Sequence, residues 1–179
     1  MSEINLGIIG GGQLGSLLSV AAKKLNIKTT IYSDDPDAPA QNFSDDFVFG
    51  NYNDKKKILE FINKVDLITY EFENIPFDTL NEINKLKKVL PKPSVNRLIQ
   101  HRLAEKDFVN KLNIRTTRYV SIEKKSDIET LEDFLPGILK TTTMGYDGKG
   151  QYPIKKITDL DNLNLDFSKG YVLEKLVKL

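Results

Sequence analysis

The chain has 179 residues, of which 26 are basic and 25 acidic, so its formal net charge is +1. Nucleic-acid and membrane surfaces need a concentrated positive field, and this balance predicts neither partner. Cysteine is absent and histidine occurs once, as His101, which excludes a disulfide framework, a thiolate zinc site and a cysteine nucleophile. No segment reaches the roughly 20 apolar residues of a membrane helix. The apolar run at residues 6–9 is too short for a signal peptide, so we expect a cytoplasmic enzyme or binding domain.

The first half of the chain alternates short apolar runs with segments of helical periodicity. Strands are predicted at residues 4–9, 28–32, 46–49 and 66–70, and helices at 14–25, 54–63 and 78–88. In the first helix the apolar residues recur at helical spacing, at Leu14, Leu17, Leu18, Ala21, Ala22 and Leu25. Because strands that alternate with helices pair in parallel through crossover connections, this half is predicted to form a small open α/β domain.

Residues 91–94, Pro-Lys-Pro-Ser, are the clearest break in the chain and indicate a domain boundary. Beyond them, helices are predicted after Ser94 and at 103–112, 126–134 and 160–167, and strands after Arg118 and at 138–140, 151–155 and 171–177. We therefore predict a first domain at 1–93, a helical linker at 94–112 and an incomplete second domain at 113–179. The last predicted strand would leave an unpaired edge, so we expect the chain to be truncated.

The first glycine-rich motif lies between the first predicted strand and its helix. Gly10-Gly11-Gly12-Gln13-Leu14-Gly15 matches G-x-G-x-x-G, in which glycines admit a ligand to the helix N-terminus, where free N–H groups favour an anion. A dinucleotide site is one interpretation, supported by Asp34 or Asp35 about twenty residues on, but the second mononucleotide-binding half is not evident. Alternatively, the loop binds a small anionic or ribosyl substrate, or its glycines only pack the helix against the sheet.

The second glycine-rich motif follows the predicted strand that ends at Lys140. It reads Gly145-Tyr146-Asp147-Gly148-Lys149-Gly150-Gln151, and its spacing is not that of a Walker P-loop. Three glycines at close spacing are typical of a mobile flap whose amides wrap phosphate oxygens, and Lys140 and Lys149 would add positive charge from two sides. The alternative is a simple turn, which would not need the flanking lysines.

These residues carry a resemblance to a known family. The segments Ile8–Gly15, Thr69-Tyr70-Glu71-Phe72-Glu73-Asn74-Ile75, Arg102-Leu103-Ala104-Glu105-Lys106, Lys140 with Gly145–Gln151, and Glu174-Lys175-Leu176-Val177 resemble the N-terminal half of the 5-(carboxyamino)imidazole ribonucleotide synthases. These enzymes are ATP-grasp ligases of purine biosynthesis. The resemblance extends over all 179 residues and implies a Rossmann-like pre-ATP-grasp domain followed by the first α+β subdomain of an ATP-grasp fold.

The resemblance implies an ATP- and Mg²⁺-dependent ligase that joins bicarbonate to aminoimidazole ribonucleotide through carboxyphosphate, and a homodimer when intact. The implied ATP contacts are Arg102, Lys140, Gly145, Tyr146, Asp147, Gly148, Lys149, Gly150, Gln151, Glu174, Lys175, Leu176 and Val177. Glu174 and its neighbours are expected on a strand edge that reads adenine through backbone groups. The implied substrate contacts are Gly12, Gln13, Leu14, Glu71, Glu73, Tyr146 and Asp147. Alternatively, Glu71 and Glu73 are a solvated pair at a strand end, and Arg102 is a surface cation.

The chain departs from the family in two respects. Thr141-Thr142-Thr143-Met144 stands where the family carries basic and glycine residues, so we expect no additional phosphate contacts there. The family's metal-binding carboxylates match positions beyond Leu179, so we expect no metal site within 1–179 and no ligation by this chain alone. Two other classes of protein compete with this interpretation: a nicotinamide-dependent oxidoreductase module built on residues 10–15, and a non-catalytic ATP-binding domain.

Overall fold

The computed structural model describes residues 4–145 and 148–177, which form two compact units that divide between Arg97 and Leu98. The first unit is built on a four-stranded parallel sheet with strands β1 (Asn5–Ile9), β2 (Lys28–Ser33), β3 (Asp46–Phe49) and β4 (Leu67–Tyr70), in the order β3-β2-β1-β4. Its helices are α1 (Gln13–Lys24), α2 (Lys55–Ile62), α3 (Phe77–Leu86) and α4 (Pro93–Ile99), the last of which crosses the division. The predicted parallel α/β fold of this half is confirmed.

Both faces of the parallel sheet are buried, because successive side chains of a strand point to opposite sides. On one face the main cluster includes Ile9, Tyr32 and Ile68 together with Phe61 of α2 and Leu80 of α3. On the other face a smaller cluster contains Ile8, Ile31 and Ala40. The carboxyl ends of all four strands meet at one edge, which brings the Gly10–Gly12 loop after β1 next to Glu71 after β4.

Helix α1 is present as predicted, but its leucines do not face the sheet. The exposed residues include Leu14, Leu17 and Leu25, at 58%, 64% and 71%. The buried side of α1 consists of the small residues Gly15, Ser16, Ser19 and Ala22. A side chain at Gly15 would meet the Gly10 carbonyl at 2.8 Å, so the close approach of helix and loop selects small residues on the inner side.

The second unit is built on an antiparallel sheet. Its strands are β5 (Tyr119–Ile122), β6 (Gly137–Thr141), β7 (Gln151–Ile154) and β8 (Tyr171–Lys175), in the order β5-β8-β6-β7, and its helices are α5 (Arg102–Lys111) and α6 (Lys125–Glu129). One face of the sheet buries Leu139, Leu173 and Tyr171 in the core of this unit. Because side chains alternate along a strand, Lys140 and Glu174 lie on the opposite face.

Three predicted elements of the second unit are wrong in extent. The predicted helix 126–134 is the short α6 followed by a 3-10 turn at Glu132–Phe134. The Asp127 carboxylate caps the start of α6, and at its end the Thr130 hydroxyl donates to the carbonyl of Asp127, which competes with continuation of the helix. The predicted helix 160–167 is two separate 3-10 turns, Ile157–Asn162 and Phe167–Lys169.

The third of these elements, the predicted strand 171–177, ends at Lys175. Beyond that point the amide of Leu176 donates to the carbonyl of Pro136, and proline has no N–H group with which to continue the ladder.

Within the residues described, none of the helices has both the length and the apolar character needed to cross a membrane.

Candidate functional site

Three charged side chains from three elements meet on the polar face of the antiparallel sheet. Each carboxylate oxygen of Glu174 forms an ion pair with one ammonium group. Oε2 lies 2.9 Å from Nζ of Lys140, and Oε1 lies 3.2 Å from Nζ of Lys106. The side chains of Glu174, Lys140 and Lys106 are 9%, 17% and 16% exposed. We call these residues the Lys106–Glu174–Lys140 cluster; it joins α5, β6 and β8 and carries a formal charge of +1.

The ionisation of Glu174 is favoured by this arrangement. Burial raises the pKa of the carboxyl, but the hydrogen bond from Lys140 and the positive charges of Lys106 and Lys140 outweigh burial and hold the pKa below its ordinary value. Glu174 is therefore a carboxylate at neutral pH, and it neutralises only one of the two ammonium groups.

A cavity of about 270 Å³ opens over the cluster. Its walls come from α5, β6 and β8 and the segment before β5, and consist of Arg102, Glu105, Lys106, Val109, Thr116, Lys140 and Glu174. The lining contains three cations and two carboxyl groups, so its net charge is positive. Because such a lining is matched to an anion, the cavity is suited to phosphate groups.

Arg102 links this cavity to the second glycine-rich motif. Its guanidinium donates to the carbonyl of Gly145, and its backbone amide donates to the carbonyl of Thr142 at 2.9 Å. The motif turns back on itself through Gly148 and Gly150, whose φ angles are +78° and +66°. The described glycines of this motif therefore have turn conformations after β6, and Arg102 contacts Gly145. A mobile flap that binds phosphate stays a prediction.

Not all residues predicted for this site line the cavity. Lys149 is exposed on the glycine turn. Gln151 begins β7 and pairs with Lys140 in the ladder. Lys175 donates to the carbonyls of Asp133 and Leu135 at 2.6 and 2.9 Å, so its side chain stabilises the turn before β6. Tyr146 and Asp147 lie outside the described residues.

The expectation that Glu174 lies on a strand edge is wrong. Strand β8 runs between β5 and β6, with Glu174 opposite Tyr119 on one side and Ile138 on the other. An inner strand has neighbours for its backbone on both sides. Leu176 and Val177 follow the strand and are 44% and 59% exposed, and the Leu176 amide donates to the carbonyl of Pro136.

In the first unit, Glu71 completes the turn at the start of α1. Its Oε1 atom accepts a hydrogen bond from the amide of Gly12 at 2.9 Å, and Gly12 is the N-cap residue of the helix. Gly10 has φ of +112°, and a Cβ there would lie 2.7 Å from Oε1 and 2.9 Å from the carboxyl carbon of Glu71. The structure thus distinguishes the two glutamates: Glu71 contacts the loop, whereas Glu73 is exposed, as are Gln13 and Leu14.

This arrangement argues against the dinucleotide interpretation of the first loop. A carboxylate already takes the anion position at the N-terminus of α1, where a pyrophosphate would have to bind. The Tyr52 hydroxyl is hydrogen-bonded to Asp34, and its pKa is raised by burial and by that carboxylate. Asp34, one of the two residues that supported the dinucleotide interpretation, is therefore engaged within the first unit.

We expect Glu71→Ala to destabilise the first unit by about 1 kcal/mol, because the helix loses a capping acceptor. Glu71→Gln should retain most of that stability, since its amide oxygen can still accept from Gly12. Hydrogen exchange of the Gly12 amide in the two variants checks this. Equal protection of that amide in wild type and Glu71→Ala would contradict the capping role.

Lys106 is the site residue that sequence reasoning did not single out. The signal available was its spacing, because residues 102 and 106 are separated by one helical turn and so share a face of α5. Only the packing of α5 against the sheet shows that this face meets Glu174.

A parallel α/β unit followed along the chain by an antiparallel sheet with a cationic cavity and a glycine turn is typical of proteins that activate substrates with ATP in an ATP-grasp fold. Residues 1–100 match the family model described as the ribonucleotide synthetase preATP-grasp domain, and residues 107–179 match the ATP-grasp domain. The chain belongs to the ribonucleotide synthetase preATP-grasp family.

The named relatives that the chain resembles are enzymes of purine synthesis. The N5-carboxyaminoimidazole ribonucleotide synthase of Aquifex aeolicus is 35% identical over 179 residues, which are 98% of this chain and 47% of that enzyme. The bifunctional purine synthesis protein of Dictyostelium discoideum is 37% identical over 158 residues, 87% of this chain and 16% of that protein. The crystal structure of the Staphylococcus aureus synthetase complexed with ADP superposes with a TM-score of 0.88 at 31% identity, covering 98% of this chain and 48% of that one.

The chain thus spans about half the length of the synthases it matches, or less. The resemblance to the N-terminal half of this family, inferred from the sequence motifs, is confirmed, as is the combination of preATP-grasp and ATP-grasp folds. Among the described residues, no group of three or more acidic or histidine side chains is placed to hold a metal ion.

Proposed function

We propose that this chain is the N-terminal half of an ATP-dependent ligase that carboxylates 5-aminoimidazole ribonucleotide with bicarbonate to give 5-(carboxyamino)imidazole ribonucleotide. The observation that carries the proposal is the positively charged cavity between α5 and strands β6 and β8, next to the glycine turn. The Staphylococcus aureus relative has the same fold and was crystallised with ADP.

In this proposal Lys140 and Arg102 bind nucleotide phosphates, and the turn from Gly145 to Gln151 contributes backbone amides. Both cations suit this task because phosphoryl transfer depends on positioning and on stabilising negative charge.

The segment that ends at Val177 contacts the adenine side of the nucleotide through its exposed residues, with the carbonyl of Leu176 and the backbone of Val177 presented to the base. The Glu174 side chain pairs with the two lysines and has no direct contact with the nucleotide in this proposal. Lys175 belongs to the same segment, but its groups are used within the fold. Its amide donates to the carbonyl of Arg118, its carbonyl accepts from the Thr117 hydroxyl, and its ammonium group donates to two other carbonyls.

The proposed chemistry transfers the γ-phosphoryl group of ATP to a bicarbonate oxygen, which gives ADP and carboxyphosphate. The exocyclic amine of the ribonucleotide then attacks the carboxyl carbon, a C–N bond forms, the C–O bond to phosphate breaks, and the amine loses a proton. Mg²⁺ bound to the nucleotide supplies further charge neutralisation. The role of this chain in these steps is to bind the nucleotide phosphates through Lys140 and Arg102.

For the ribonucleotide, we propose contacts to Gly12, Gln13, Leu14, Glu71 and Glu73 and to Tyr146 and Asp147. Glu71 supports this assignment because it sits on the glycine loop, and Gln13 and Leu14 are exposed beside it. Bicarbonate as a substrate, a homodimer as the assembly and the cytoplasm as the compartment belong to the same proposal and rest on the resemblance.

A chimera of this chain with the part of the Aquifex aeolicus synthase that it does not cover tests the proposal. We expect ADP release that requires both bicarbonate and aminoimidazole ribonucleotide, and loss of that release in the chimera with Lys140→Ala. A folded chimera that binds ADP but shows no dependence on the ribonucleotide would contradict the proposed substrate.

Ligand titrations of the 179-residue chain, followed by amide NMR shifts, provide a test that does not need turnover. ADP should shift amides of β6 and β8, and the ribonucleotide should shift those of Gly10–Gly12. If neither ligand shifts these amides, the proposed sites are wrong.

A further inference from the structure

Lys106 has no direct contact with the nucleotide in the proposed function, yet it is as well enclosed as Lys140. We infer that Lys106 is a positioning residue: it shares Glu174 with Lys140 and so keeps the charge of Lys140 available for the nucleotide phosphates. The inference rests on the proposed function, because it concerns the same nucleotide site.

The geometry divides the Glu174 carboxylate between the two lysines. Oε1 faces Lys106 and Oε2 faces Lys140, at 3.2 and 2.9 Å. The carboxylate carries one negative charge, so it compensates the two ammonium groups only in part. If Lys106 were removed, the full carboxylate charge would fall on Lys140, and the cluster would change from +1 to neutral.

Contacts within the second unit hold Lys106 in place. Its ammonium group lies 5.3 Å from the centre of the Tyr119 ring, and Tyr119 is the residue opposite Glu174 in the β5–β8 ladder. The Tyr119 hydroxyl in turn donates to Asp107 on α5 at 2.6 Å. A cation over an aromatic face is attracted to it, so Lys106 is fixed between Tyr119 and Glu174.

Lys140 differs from Lys106 because it sits beside the glycine turn. Lys140 is the last but one residue of β6. The amide of Thr141, which follows it, donates to the carbonyl of Gly150 in the turn. The hydrogen bond to Glu174 uses one of the three N–H donors of its ammonium group. The two lysines therefore differ in placement. Lys106 is held between Glu174 and Tyr119, whereas Lys140 belongs to the strand that leads into the turn that binds phosphate in the proposed function.

Charge counting gives a test that a purely structural role would not pass. The cluster carries +1 in wild type, 0 in Lys106→Met, and +1 again in Lys106→Met with Glu174→Gln. We expect Lys106→Met to weaken ADP binding by about tenfold, the size of one charge-assisted contact, and the second substitution to restore binding to within about threefold of wild type. Lys106→Arg should bind ADP like wild type, because it retains the charge.

The measurement is the dissociation constant for ADP of the 179-residue chain at one ionic strength, from amide NMR titration, which also shows that each variant is folded. Lys111→Met, an exposed lysine on the same helix, is the matched control and should not change binding. Equal binding by wild type and Lys106→Met would overturn the inference and leave the proposed function intact. A double variant as weak as Lys106→Met would overturn it too. Failure of wild type to bind ADP would instead contradict the proposed nucleotide site itself.

Discussion

Lys140→Ala should weaken ADP binding by tenfold or more and reduce ATP use by the Aquifex aeolicus chimera in the same proportion. The variant removes the cation that is proposed to bind the phosphates, and hydrogen bonds to charged groups contribute roughly 1.5–3 kcal/mol. The fold should survive, because Glu174 keeps its ion pair with Lys106. Titration of the chain with ADP measures the affinity for ADP, and ATP saturation of the Aquifex aeolicus chimera measures the use of ATP.

Lys156→Ala is the matched control for this prediction. Lys156 is an exposed lysine of the same unit, so its removal changes the net charge equally without touching the cavity. Its ADP affinity should equal that of wild type. If Lys140→Ala binds ADP as well as Lys156→Ala does, Lys140 is not part of the nucleotide site.

Glu174→Gln should destabilise the second unit by about 3 kcal/mol, at the lower end of the cost of breaking a buried ion pair. The substitution preserves shape but leaves two enclosed ammonium groups facing each other without a carboxylate. The lower end applies because both lysines keep some exposure to water. Hydrogen exchange of β6 and β8 amides reports the stability of this unit separately. Glu123→Gln, at an exposed position just after β5, should change it by less than about 0.5 kcal/mol.

The pH dependence of stability follows from the same pair. The pKa of Glu174 is lowered in the folded chain relative to its ordinary value of 4.5. Its contribution is therefore fully present above pH 4.5 and is lost as the pH falls through the folded pKa. Wild type should lose more stability than Glu174→Gln on acidification below that value. Parallel pH profiles for the two proteins would contradict the ion pair.

Much of the first unit can be predicted from its sequence because its signals are local. Apolar runs bounded by glycine, proline and aspartate mark the strands, and alternation with helices determines parallel pairing. The orientation of α1 could not be predicted in this way. Periodicity shows that its leucines share one side, but the close approach at Gly15 decides which side faces the sheet.

The candidate site shows the same limit. Lys140 and the glycine turn are adjacent in sequence, so their association is readable from the chain. The meeting of Lys106 with Glu174 joins residues 68 positions apart, and the capping of Gly12 by Glu71 joins residues 59 positions apart. Such contacts depend on tertiary packing, which composition and spacing do not encode locally. The position of β8 inside the sheet, and hence the pairing of Glu174 on both sides, depends on it as well.

The central claim is that nucleotide phosphates bind at the cavity over the Lys106–Glu174–Lys140 cluster, and a crystal structure of the chain with ADP tests it most directly. We predict phosphate oxygens within hydrogen-bonding distance of the Lys140 ammonium group and of the amides in the turn after Gly145. ADP phosphates bound instead at the Gly10–Gly12 loop, with Glu71 displaced from the N-terminus of α1, would contradict the account.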